Sequence, residues 1–151
     1  MRFMVITKAT AESEAGVLPA TEDFDTMGEF IQELVDAGVL LDAGGLQSSA
    51  NGARIYFDGD KKTVVDGPFT ETKELIAGYY LVEMKSLEEC VEWFKRCPIQ
   101  PGVGAPTNIE IRRVFHAEDF GENFTAEQQE AVEERRAKVA GNRRAKVAGN
   151  N

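Results

Sequence analysis

Hydrophobic and polar positions along the chain change their period several times, and each change marks an element. Phe3 to Thr7 is a short apolar run bounded by polar residues, which predicts a first strand. Residues 9–22 carry no period and contain Gly16 and Pro19, so a mobile loop is expected there. Its length is that of a lid, a rim or an insertion. Phe24, Met27, Ile31, Leu34 and Val35 then recur at three and four, the stripe of an amphipathic helix. Thr21 or Asp23 can cap its start, and Gly38 can supply the left-handed residue that ends it.

Val39-Leu40-Leu41 opens a second strand, in which Gly44 and Gly45 suggest a bulge or a close backbone approach. Ile55-Tyr56-Phe57 and Thr63-Val64-Val65 flank Asp58-Gly59-Asp60-Lys61, a hairpin with a loop longer than the tightest two-residue turns. After Asp66-Gly67-Pro68 the chain must turn or extend, because Pro68 pushes Gly67 out of the helical region. Leu75 to Met84 reads as another strand. Ser86 and Glu89 make a capping box for a helix with Leu87, Cys90, Val91 and Phe94 on one face, Trp93 beside it and Pro98 as its stop. Ile109–Arg112 is the last strand. The order is β-α-β-(hairpin)-β-α-β, which predicts an α+β domain of the ferredoxin-like, split βαβ kind with an inserted hairpin.

Both helices of such a fold cover one face of the sheet, so the uncovered face should be polar. Strand one instead has Phe3, Val5 and Thr7 on one side and Met4 and Ile6 on the other, and Tyr79–Val82 is apolar on both. A second copy of the sheet is the expected cover, giving a homodimer. The tail begins with a capping box, Thr125 to Gln128, and repeats an octapeptide at residues 135–142 and 143–150. Two domains are therefore expected: residues 1–116, and a polar helical tail at 117–151.

Composition narrows the function classes. The 151 residues are 42% hydrophobic, with no run long enough to span a bilayer, and the N-terminus lacks a signal-peptide pattern; a cytoplasmic protein is expected. The net charge of −9 argues against nucleic acid as a partner. Cys90 and Cys97, seven apart on a helix, would sit roughly 10 Å apart, too far for a disulfide. With one histidine and no Cys/His cluster, neither a metal nor another cofactor is called for.

Asp66 and Glu74 flank a stiff turn containing Glu71 and Lys73, and a carboxylate beside Phe69 and a tyrosine can act as a general base. Asp42, next to Gly44-Gly45, could project between sheets with Arg54 as its partner; Gln47, Ser48 and Ser49 could line the same cleft. The catalytic set is then Asp66, Asp42 and Glu74, with Arg54, Lys73, Phe69, Tyr79 and Gln47 for a small-molecule ligand. For each there is a plainer role: a turn aspartate bonded to amides, a structural ion pair, core tyrosines.

Asp66-Gly67-Pro68-Phe69-Thr70-Glu71-Thr72-Lys73-Glu74 resembles the signature of the DGPF, or YCII-related, family. Ala37–Leu41 through Gly44-Gly45-Leu46, Ala77-Gly78-Tyr79-Tyr80, and Glu92-Trp93 before Cys97-Pro98 support it, so the resemblance covers roughly residues 1–116. It implies a dimeric α+β barrel. Some relatives look like small-molecule lyases, isomerases or dehalogenases, and one branch is associated with a His–Asp pair. Here the histidine, His116, follows the last strand, so that pair is not carried over. Two functions result: a cofactor-independent lyase or isomerase using carboxylate acid–base chemistry, or a non-catalytic dimeric ligand-binding or regulatory module.

Overall fold

The computed structural model describes residues 1–99 and 107–149. The chain separates into two compact units, Met1–Val114 and Phe115–Asn151. In the first, β1 (Arg2–Lys8) leads through α1 (Ala11–Glu14) to α2 (Thr21–Asp36), β2 (Leu40–Gly45), the hairpin β3 (Ala53–Asp58) and β4 (Lys61–Asp66), then β5 (Ile76–Glu83), α3 (Leu87–Phe94) and β6 (Ile109–Arg113). The main sheet has the order β2-β5-β1-β6 and is antiparallel throughout; β3 and β4 form a separate two-stranded sheet. β5 lies between β1 and β2, and β1 between β5 and β6, so two split β-α-β units interleave as the element order implies. The Pro/Gly-rich stretch after Ile99 falls largely outside the described residues.

The core lies on the helix side of the sheet. β5 is buried at every second residue, Gly78, Tyr80 and Val82. Tyr80 and Val82 join Phe3 and Val5 of β1, Phe30 and Leu34 of α2, and Cys90 and Phe94 of α3 in the core. Phe30, Tyr80 and Phe94 pack edge-on or tilted, with centroids 5.3–6.4 Å apart, a geometry worth about 0.5–1.5 kcal/mol per pair beyond the area buried. The α2 stripe is rotated from the one its spacing suggests: Phe30 and Leu34 are buried, while Phe24 and Val35 are exposed. The tertiary partner selects which part of a broad apolar face turns inward.

Local signals act with some shifts. α2 ends in a Schellman motif, with Gly38 at φ 68°, Val39 N–H donating to Leu34 O and Gly38 N–H to Val35 O. At its start Asp23 accepts from Ala20 N–H at 3.0 Å, and Thr21 is already helical. The expected loop at 9–22 contains α1, because Thr10 and Ser13 cap each other's amides at 3.1 and 2.9 Å. The hairpin turn is tighter than expected: Asp58 pairs with Lys61, leaving only Gly59-Asp60, with Gly59 at φ 57°. The β2 irregularity falls between Leu40 and Asp42 rather than at the glycines. Ser86 Oγ accepts from Glu89 N–H, but Glu89 reaches Lys85 N–H instead of completing the box. α3 ends at Phe94, so Cys97 lies in the turn beyond it, and both thiols are free.

In the second unit, Phe115 stacks on Phe120, which packs tilted against Phe124. Thr125 and Gln128 form the expected capping box, and α4 (Ala126–Gly149) runs through the octapeptide repeat. No helix among the described residues is long and apolar enough to cross a membrane.

Candidate functional site

Residues directly opposite in an antiparallel pair share a face. On the side away from the helices, Leu81 lies opposite Asp42 and Met4, and Tyr79 opposite Gly44 and Ile6. Continuing outward, Met4 faces Arg112 and Ile6 faces Glu110. This face thus has an apolar centre of Met4, Ile6, Tyr79 and Leu81 with charged flanks. The flanks are paired: Lys8 with Glu110 at 2.9 Å and Arg2 with Glu83 at 3.4 Å. The Lys8 ammonium holds the Glu110 carboxyl below its usual range.

Within the apolar centre, Tyr79 OH donates to Asp42 Oδ2 at 3.1 Å. Gly44 makes this possible, since a Cβ there would meet the Tyr79 ring at 3.1 Å. The expectation that Arg54 would pair with Asp42 is overturned. Arg54 Nη1 bonds Glu71 Oε2 at 3.1 Å, and its guanidinium lies 4.0 Å from the centroid of the Phe69 ring. That bond holds the Glu71 carboxyl below its usual range. Two residues assigned to substrate, Arg54 and Phe69, are therefore engaged with each other.

The signature turn is organised by Ser49. Its hydroxyl donates to Glu14 Oε2 at 2.5 Å and accepts from Phe69 N–H at 2.9 Å, while Ser49 N–H reaches both Glu14 oxygens. Gly67 N–H donates to Gly52 O at 2.9 Å, and a Cβ at Gly67 would lie 1.7 Å from Ser49 O. The Gly67–Pro68 peptide is cis. Only glycine lets the two backbones approach so closely. Asp66 sits exposed at the end of β4, and Lys73 and Glu74 are exposed in a 3-10 turn. Gln47 is exposed and accepts from Asn51 Nδ2 at 3.0 Å. The eight residues thus divide: Asp42 with Tyr79, Arg54 with Phe69, and Asp66, Glu74, Lys73 and Gln47 at the surface.

A second feature was not legible in the residue pattern. An open cavity of about 480 Å³ lies at the end of β1, walled by Thr7, Phe24, Met27 and Ile99 and roofed by residues 10–20. None of the eight residues lines it. The Thr10-to-Ser13 spacing was the available signal that residues 9–22 carry a folded roof.

The YCII-related domain pattern matches residues 1–115. The chain belongs to the YCII-related domain family. An uncharacterized protein of Rhizobium meliloti (strain 1021) is 34% identical over 62 residues, 41% of this chain. The chain spans about half the length of that curated relative. In this YCII-related domain the Asp-Gly-Pro-Phe signature has a structural task visible in the contacts above: it joins the hairpin to the Ser49 turn, and through Glu14 to α1.

Proposed function

We propose that the protein is a dimeric, ferredoxin-like α+β barrel that acts on a small molecule by carboxylate acid–base chemistry, without metal or redox cofactor. The observation that carries this reading is the Asp42–Tyr79 hydrogen bond beside the apolar centre of the sheet face away from the helices. A second copy laid on that face would remove Met4, Ile6 and Leu81 from water and enclose the pair. Asp66 and Glu74 are exposed, which leaves Asp42 as the favoured base of the three. Desolvation in such a cleft would push the carboxyl toward a pKa suited to proton abstraction, against the lowering effect of the Tyr79 O–H bond, and Tyr79 can hold or return a proton. Such a base supplies about 10²–10⁴-fold, enough for an isomerisation or elimination. The hairpin supports association, since Ile55, Phe57 and Val64 share one face and are 56%, 71% and 63% exposed.

The second reading is a non-catalytic dimeric binding module. It is favoured by the absorption of Arg54, Phe69 and Glu71 into a structural cluster, which engages two of the expected substrate contacts, Arg54 and Phe69, with each other.

Sedimentation at micromolar concentration and an NMR titration of the Asp42 carboxyl test the proposal together. A dimer with Asp42 titrating well above the ordinary carboxylate range is expected. A dimer with an ordinary Asp42 favours the binding module, and a stable monomer removes both.

A further inference from the structure

Thr7 alternates with Phe3 and Val5 along β1 and so points to the helix side, away from Asp42. The cavity it lines, about 480 Å³, falls within the size range of small-molecule sites. Its rim carries three large apolar side chains that are unusually open: Leu18 is 82% exposed, Val17 60% and Phe24 59%. Apolar area left in water costs roughly 25 cal/mol per Å², so an apolar occupant would gain by covering them.

The polar groups around the cavity are largely engaged. Lys8 Nζ is bonded to Glu110, Asp23 to Ala20 N–H, and Thr10 and Ser13 to each other. Glu12 and Asp23 place two carboxylates against the one ammonium of Lys8 among the lining residues. An anionic ligand would meet a lysine already paired with Glu110. The roof is fastened from outside by the Glu14–Ser49 contact, so the space does not depend on a ligand to hold it open.

We propose that this cavity is a second site, distinct from the Asp42 face, that binds a neutral, predominantly apolar small molecule of aromatic or branched-alkyl type. The test uses the full-length chain and N-phenyl-1-naphthylamine, a neutral apolar dye followed by fluorescence. Saturable binding at one site per chain is expected, with methyl NMR shifts at Val17, Leu18 and Ile99. Leu18→Asp, at an open position where the fold has little to lose, weakens binding about tenfold or more by placing a charge against the apolar ligand. Phe57→Asp on the hairpin and Asp42→Asn leave it unchanged. The anionic dye 1-anilinonaphthalene-8-sulfonate binds more weakly than the neutral one. The proposal is overturned by absence of saturable binding, by binding lost in Phe57→Asp but kept in Leu18→Asp, or by tighter binding of the anionic dye.

Discussion

A Cβ built on Gly67 would lie 1.7 Å from the carbonyl oxygen of Ser49, so these two residues touch backbone to backbone. Neither atom belongs to a flexible side-chain end, and the contact can be relieved only by moving the chain. Gly67→Ala is therefore expected to cost about 1–3 kcal/mol or more, as overpacking does. Gly59→Ala, strained by its positive φ but with open space around it, should cost about 1 kcal/mol. Chemical denaturation of the two variants checks the order; equal losses would mean the signature turn relaxes freely.

Ser49→Ala removes the hydroxyl that joins Glu14 to Phe69 N–H. Loss of a charge-assisted bond and of an amide's acceptor should cost about 1–3 kcal/mol. The local effect distinguishes it from general destabilisation. Amide exchange of residues 10–17 should quicken while β1 and β5 stay protected. Uniform quickening across the sheet would refute the assignment of Ser49 as the fastening of the α1 segment.

Leu34 and Val35 are neighbours on α2 with opposite fates. Leu34 is 0% exposed and Val35 50% exposed. Leu34→Ala should cost about 2–5 kcal/mol through lost burial and a residual cavity. Val35→Ala should stay within about 0.5 kcal/mol, as surface changes do. Comparable losses in thermal unfolding would place the helix at a different rotation.

Burial pushes the Cys90 thiol up to about 11, with Glu89 adding to it, and burial does the same at Cys97 against the opposing hydrogen bond of Tyr80. In the unfolded chain both lose their protons near pH 9. Between about pH 9 and 11 the unfolded state binds fewer protons than the folded one, so stability falls as pH rises. Below pH 9 these two groups contribute no slope. Thiol labelling at pH 8 should be slow in the native protein and fast in denaturant; rapid native labelling of Cys90 would contradict the packing.

Much of the architecture is written in local signals. The alternation in Phe3–Thr7 and Tyr79–Val82 identifies both sheet faces, and Tyr79 and Tyr80 do point opposite ways. Gly38 stops α2 by the mechanism its position implies. The site was less legible. Arg54 reads as a partner for Asp42 but meets Glu71, because a charge does not declare which of several carboxylates it will meet. Asp66 reads as a base because it flanks a stiff turn beside Phe69, yet the stiffness of that turn is used by Gly67 and Phe69 against Ser49.

What the chain by itself determined was periodicity: which of the longer stretches are strands or helices, and that strands one and five carry apolar residues on both faces. These follow from dihedral preferences and from side chains only a few residues apart. Tertiary structure alone decided the rotation of α2, the joining of Glu14, Ser49 and Phe69, the pairing of Asp42 with Tyr79, and the cavity beneath residues 10–20. Those depend on groups up to 92 positions apart along the chain, as Thr7 and Ile99 are at the cavity, and their meeting is set by how the sheet and helices pack rather than by any local preference.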